Sequence, residues 1–442
     1  MRAKIHIETV KTWILTVLVL FSVVLSFKLW YSVPVYEAVD SSGYVGGTAW
    51  GPGKTVTQVL QPTRILVHLG DGRHAVILPD SDPYHMTRDL LRKATVSEFT
   101  PVTWSESVWE STVTKRSIEY DYGIEVQAQY LAQTLSLPSG MFNSLKARSL
   151  YLMYDADGNM RLLLKGDTAA YWAKVQIPAD SLLEIWNMAG KLPLYALYGD
   201  AKHAYYLPSD KMKVPVDTYE RNVFNTTQLM SSFFVDPSLT RRIAERDGSV
   251  ILTDGSRGVQ FSSSTKMIDY TNPSTDLYTT GEEMDHSLEK AIEFVNDHGG
   301  MEGTYLAVDG SMQRDITSSY LFRSYINGLP MDDSYFSIRV KMRGNIVFEM
   351  VRSVVYPGVL VKREDAYVLS GPALLDSLRK RGITNTTITD ISLCYVPEYA
   401  EKDRFLLRPV WFIQRKGESP VHVDAVSGEL WADNGGWLHG LE

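Results

Sequence analysis

Several stretches of the 442-residue sequence place chemistry-bearing side chains at suggestive spacings. In "TTGEEMDHSLEKAIEFVNDHGG", His286, Glu289 and Glu293 stand at i, i+3 and i+7. On a helix they share a face and would suit a metal ion. Leu288, Ala291, Ile292 and Val295 supply the apolar stripe of the same helix, so the acids read as its solvated side. Ser287 and Lys290 spell the Ser-x-x-Lys of acyl-transfer nucleophiles, but sit mid-helix without companion motifs. "DADGNM" at Asp155 resembles the start of a calcium loop. Its glycine is fourth instead of sixth and its twelfth position is Gly166 instead of Glu, so it reads as a hairpin turn. The single cysteine, Cys394, lies in the alternating run "ITDISLCYV" and reads as a small buried residue; one cysteine permits no intramolecular disulfide.

The sequence has no GxSxG, HExxH, CxxC or GxxxxGK[ST]. Glycoside hydrolysis needs two acids about 5–10 Å apart, and no local pattern singles out a pair among the 52 acids. Catalytic, cofactor-binding and metal-ligating residues are therefore assigned to none, and the chain reads as a non-enzyme. A formal charge of -8 and the absence of a basic run argue against nucleic acid as a partner.

The remaining candidate is a surface. "KTWILTVLVLFSVVLSFKLW" is the most apolar stretch of the chain. Residues 12–33 suffice to cross a ~30 Å hydrocarbon core at ~1.5 Å per residue. Lys28 is the only charge inside and lies near one end, where it snorkels. Trp13, Trp30 and Tyr31 mark the two interfaces. Arg2, Lys4 and Lys11 precede the span, while Glu37 and Asp40 follow it. The reading is a single-pass cell-membrane protein with a cytoplasmic N-terminus and an extracytoplasmic bulk. The bulky residues after the span make a poor cleavage site, so an uncleaved signal-anchor is expected. Thr12, Thr16, Ser22 and Ser26 fall within an arc of roughly 120° at ~100° per residue. They are the candidate partner-binding face, against the alternative that each hydroxyl bonds back to its own helix.

The elements of the exterior follow from alternation and turn chemistry. Hairpins are predicted at Asp71-Gly72, Asp157-Gly158, Asp254-Gly255, Gly344-Asn345 and Ser427-Gly428. Helices are predicted over 87–99, at "PADSLLEIWNMAG" with Gly190 as its stop, between Thr280 and Gly299, and at "GPALLDSLRKRGI" ending at Gly382. The class is α+β: one N-terminal transmembrane helix and three extracytoplasmic domains of antiparallel sheets with packed helices. The predicted division is a cytoplasmic tail 1–11, the transmembrane helix 12–33, an N-terminal extracytoplasmic domain 34–205, a central domain 206–275, and a C-terminal domain 276–442. The last holds two helix-plus-sheet units, in which "YLFRSY" and "FLLRPV" pair Arg323 with Arg408. The second unit resembles a PepSY-type module, an extracytoplasmic inhibitory or scaffolding unit.

Three stretches carry a wider resemblance. "FFVDPSLTRRIAERDGSVILTDGSRGVQF" (233–261), "FRSYINGLPM" (322–331) and "ETVKTWILTVLVLFSVVLSFKLW" (8–30) resemble segments of the YycH family, in order along the chain. That resemblance implies a Gram-positive, membrane-anchored regulator with a three-domain extracytoplasmic portion. Its implied partners are the membrane, a sensor histidine kinase of the WalK type and a companion resembling YycI, with no catalytic residues carried over. The function expected is non-enzymatic modulation of a cell-wall-sensing kinase through transmembrane helix packing and exterior contacts. The alternative is a scaffold or inhibitor acting through the PepSY-like repeat.

Overall fold

In the computed structural model, residues 2–31, 53–133, 135, 145–155, 157–273, 287–313, 317–332, 335–384, 387–401 and 403–431 are described. Met1–Gly43 and Tyr44–Glu442 are two separate units. The first contains α1, one continuous helix over Arg2–Tyr31. The second is mixed α+β, and its described residues form three antiparallel sheets.

Turn chemistry sets the first sheet. Asp71 and Gly72 adopt φ of 54° and 69°, the two left-handed residues that a tight hairpin turn requires. They join β1 (Pro62–Gly70) to β2 (Arg73–Ile77). A bulge between His68 and Gly70 shifts the register, so that His68 faces His74. The other strands are β3 (Thr95–Val102), β4 (Ser117–Gln127), β5 (Lys146–Tyr154), β6 (Met160–Lys165), β7 (Ala170–Gln176), β8 (Leu194–Tyr198) and β9 (Tyr205–Pro208). The nine run in the order β3-β7-β6-β5-β4-β1-β2-β8-β9. Helices Asp82–Arg92 and Ala179–Ala189 turn Leu90, Leu91, Leu182 and Ile185 into the core. Ser81 caps the first by accepting from Tyr84 N.

The predicted helix over 87–99 is corrected. The helix ends at Arg92, and residues from Thr95 onward form β3, paired to β7. Thr95 and Val96 are β-branched, and an available sheet edge outweighs the weak local pattern.

The remaining sheets interleave along the chain. One contains β10 (Met212–Val223), β20 (Val355–Val368), β21 (Ile388–Glu401), β22 (Arg404–Arg415) and β23 (Glu418–Asp424), in the order β20-β10-β22-β21 with β23 on β22. The other contains β11 (Arg241–Ala244), β12 (Val250–Thr253), β13 (Gly258–Phe261), β14 (Met267–Thr271), β15 (Thr304–Gln313), β16 (Thr317–Ile326), β17 (Leu329–Pro330), β18 (Ile338–Arg343) and β19 (Ile346–Ser353). Its order is β11-β12-β13-β14-β19-β18-β16-β15, with β17 on β16. Residues 206–208 thus belong to β9 of the first sheet, while the rest of segment 206–275 contributes its long strand to one later sheet and its four short strands to the other.

Element order recurs. Helix Ser287–Asp297 precedes β15, β16 and β18, and helix Gly371–Lys380 precedes β21, β22 and β23; each trio is an antiparallel meander. Arg323 and Arg408 both lie on the second strand of their trio, opposite Leu306 and Val396. The first sheet meets β15 at Gly123, where a Cβ would lie 2.4 Å from Val308 Cα. Only glycine permits that approach.

Candidate functional site

The four hydroxyl residues singled out in α1 lie on one unbroken helix, and their side chains are exposed. Thr16 Oγ1 donates to Thr12 O at 2.8 Å. Its hydroxyl therefore bonds to its own helix, which hides the polarity but leaves the small surface available for packing. The large apolar side chains from Val10 to Leu25 are all more than half exposed. Among the described residues, no helix is long and apolar enough to cross a membrane. Side chains of α1 are described over 10–26, a shorter stretch than the 12–33 read from the sequence.

The exterior motifs resolve into structure. Asp155 Oδ1 accepts from the backbone N–H of Asp157 and Asn159, and Oδ2 from Arg161 Nε. The carboxylate is used up by a hairpin turn. Ser287 Oγ lies 2.5 Å from Tyr320 Oη, while Lys290 Nζ pairs with Glu293 at 2.8 Å. Serine and lysine thus serve different partners and form no nucleophile–base pair. Residue 286 lies outside the described residues, and among those described no cluster of three metal-ligating side chains occurs. Cys394 is buried, as its strand placement predicts.

Two buried polar clusters went unread in the sequence. On the first sheet, His68 Nδ1 and His74 Nδ1 are 2.8 Å apart, and His68 Nε2 lies 3.3 Å from Glu119 Oε2. Tyr151 Oη donates to Glu119 Oε1 at 3.0 Å. A carboxylate only accepts, so His68 Nε2 carries the proton. The two imidazoles share one hydrogen bond through their Nδ1 atoms, and His68 links His74 to Glu119. Burial, with His68 alongside, pushes the His74 pKa down to about 4. His68 and His74 are 0% and 2% exposed, so no substrate meets this cluster.

The second cluster lies under the β18–β19 hairpin. Arg352, on β19, is 2% exposed. Its Nη1 donates to His298 O at 2.7 Å, and its guanidinium carbon sits 4.9 Å from the Phe224 ring centroid. Among the described residues no carboxylate pairs with it, and Nε has no hydrogen-bond partner. Burial lowers its pKa to about 10. Gly299 closes the preceding helix at φ +103°, where a Cβ would stand 2.5 Å from Arg352 Nη1. Phe233 and Phe294 stack on His298 with centroids 4.4 and 4.1 Å away. Burial brings the His298 pKa down to about 4.

A concavity of about 840 Å³ at the end of the first sheet includes Trp104, Glu106, Lys165, Asp167 and Lys202. Trp104 already stacks on Tyr151 and lies under Lys165 Nζ at 5.3 Å. The groove carries charges of both signs and no convergent set of reacting groups.

Residues 8–188 match the family described as YycH protein, N-terminal domain, and residues 202–424 match YycH protein, C-terminal domain. The chain belongs to the YycH family. The fold of YycH from Bacillus subtilis, known from a crystal structure, is similar, with a TM-score of 0.67 at 15% identity over 84% of this chain and 97% of that one. An uncharacterised protein from Eubacterium rectale is a weaker likeness, with a TM-score of 0.37 at 12% identity over 55% of this chain and 94% of that one. No curated protein matches in sequence. Membership in the YycH family implies a regulatory part in the WalK pathway, and the family is not known as one of enzymes.

Proposed function

We propose that this protein is a non-enzymatic, membrane-anchored regulator that biases a WalK-type sensor kinase through the packing of its first helix. Contacts of the exterior with a YycI-like companion complete the reading. The family match carries it, because that match begins at residue 8 and so takes in the apolar helix together with the exterior. The exposed apolar surface of α1 supports the helix as the contact element. The span 12–33 crosses the cell membrane, with residues 1–11 in the cytoplasm and the bulk outside. Thr12, Thr16, Ser22 and Ser26 form the close-packing face, supplied by their small size more than by hydroxyl donation.

The physics is a differential affinity. A helix that packs better against one signalling state of the kinase shifts the equilibrium by that difference, about tenfold for ~1.4 kcal/mol. Replacing residues 13–30 by polyleucine, with Arg2, Lys4 and Lys11 kept, tests it. Kinase-dependent wall-gene output should fall to the level of a deletion strain while surface exposure is unchanged. Wild-type output would refute helix packing as the route.

The recurrence of helix and three-stranded meander favours a second reading, an exterior scaffold or inhibitor acting through PepSY-like units. A secreted chain beginning at Val35 should then retain full function.

A further inference from the structure

The described part of the second unit begins at Gly53, and the hydrogen bonds of Lys54 run to a distant helix. Asn296 Oδ1 accepts from the Lys54 N–H at 2.9 Å, and Asn296 Nδ2 donates to the Lys54 carbonyl at 2.9 Å. A side-chain amide carries both an acceptor and donors, so it serves the N–H and C=O of one residue together. Gly53 lies against the same side chain, where a Cβ would stand 3.4 Å from Asn296 Nδ2. The helical turn Val56–Val59 then lies against helix Ser287–Asp297 and β15. Pairing into the first sheet begins only at Pro62, opposite Tyr122.

Lys54 falls within the N-terminal family domain, residues 8–188, and Asn296 within the C-terminal one, residues 202–424. The chain that leads from α1 is therefore fastened to the later domain before it enters the sheet of its own.

The two sides of this contact differ in rigidity. Asn296 stands in the last turn of its helix, and that helix end is held from several directions. Gly300 N donates to Val295 O at 2.8 Å, and Arg352 Nη1 donates to His298 O. His298 is buried and stacked on Phe233 and Phe294. On the other side, Thr55, Thr57 and Gln58 are exposed, and Thr55 N donates to Gln58 Oε1 within its own turn. Burial starts at Val59 and Leu60. Residues 54–58 can thus detach while the core stays closed, and fully extended they span roughly 17 Å.

We propose that Asn296 is a latch, which fastens the membrane tether to the C-terminal family domain and whose release lengthens the tether by residues 54–58. The reach of the exterior from the membrane then becomes a property of the later domain, and a partner that shifts helix Ser287–Asp297 changes it. This rests on the reading of residues 12–33 as the anchor.

Trypsin reads the latch directly. Between Lys28 and Lys54 the sequence has no lysine or arginine, so cutting after Lys54 separates the exterior from the tether and leaves a new N-terminus at Thr55. Cleavage of a folded chain follows the population of its locally open form. Full-length protein in right-side-out membrane vesicles is treated with limiting trypsin, and the fragment beginning at Thr55 is followed by mass spectrometry. Cutting after Arg73, at the exposed start of β2, is the internal reference. Asn296→Leu keeps the shape and removes both hydrogen bonds, a change worth about ten-fold or more in opening. The Thr55 fragment should form at least ten-fold faster, with the Arg73 rate unchanged. Asn296→Asp keeps the acceptor for Lys54 N–H and loses the donor, and its rate should fall between the two. Equal Thr55 rates in all three proteins would overturn the latch. So would a rise at Arg73 as large as the rise at Lys54, which marks a general loosening of the fold. Failure of the anchoring reading shows separately: the untreated chain would wash off the vesicles, and the same comparison on the washed-off protein would still decide the latch.

Discussion

The two buried histidine clusters set out from similar ingredients and reach opposite solutions. On the first sheet, His68 bridges His74 and a carboxylate, with one ring nitrogen toward each. Under β19, His298 shares its pocket with a guanidinium, and the cation is served by a carbonyl and an aromatic face. Burial depresses one imidazole in each cluster to about 4. Desolvation dominates in both places, and the partners decide only how the polar atoms are satisfied. A buried cation without an acid is stabilised less by pairing than by packing.

Acid should expose what the clusters share. Both imidazoles are neutral in the fold, while unfolded histidine takes up a proton near pH 6.5. Their contribution is whole above about 6.5 and is lost as pH falls toward about 4, where the folded state also protonates. The loss is on the order of 3 kcal/mol for each histidine. Denaturant unfolding followed by tryptophan fluorescence should show it between pH 6.5 and 4. His74→Gln should remove about half the slope; an unchanged slope would place the titration elsewhere.

Arg352 should separate packing from charge. Arg352→Ala leaves a cavity and removes a donor from the His298 carbonyl, for an expected loss of ~3 kcal/mol. Arg352→Met fills the space without a charge and should stay within ~1 kcal/mol of wild type. Equal losses in the two variants would mean that the charge itself is needed. The smallest effect belongs to the acid of the first cluster. Glu119→Gln keeps its shape but replaces a double acceptor with an amide, which should lower stability by ~1–2 kcal/mol. If the unfolding midpoint does not move, the chain of hydrogen bonds is not organised by the carboxylate.

Legibility in the sequence followed the range of the interactions. The turn at Asp71-Gly72 was readable because the left-handed backbone belongs to those two residues alone. The stop at Gly190 and the strand around Cys394 were similarly local. The His68–His74 pair was not. A plain hairpin about residues 71 and 72 would set His68 against Ala75; the bulge moves it onto His74. Glu119 and Tyr151 come from strands far along the chain. Arg352 reads as one more solvent-facing residue of an alternating strand, and its burial depends on a helix end and on Phe224. The helix predicted over 87–99 failed where β7 competed for the same residues. In α1, the residue types indicated a face, and the hydrogen bond from Thr16 shows one hydroxyl turned inward.

The interleaving of the later sheets has a consequence for biosynthesis. All nine strands of the first sheet come from residues 62–208, so that sheet has its complete set of partners early. Strand β10 follows at once, but it pairs with β20 and β22, which emerge last. Strand β14 likewise waits for β19. At ~5–20 residues per second, the delay is on the order of ten seconds. During that interval Val214, Phe224 and Phe233, all buried in the finished fold, have no core to enter. The second half of the exterior is therefore the slow, high-contact-order part of folding, and the part that most needs protection from aggregation as it leaves the ribosome.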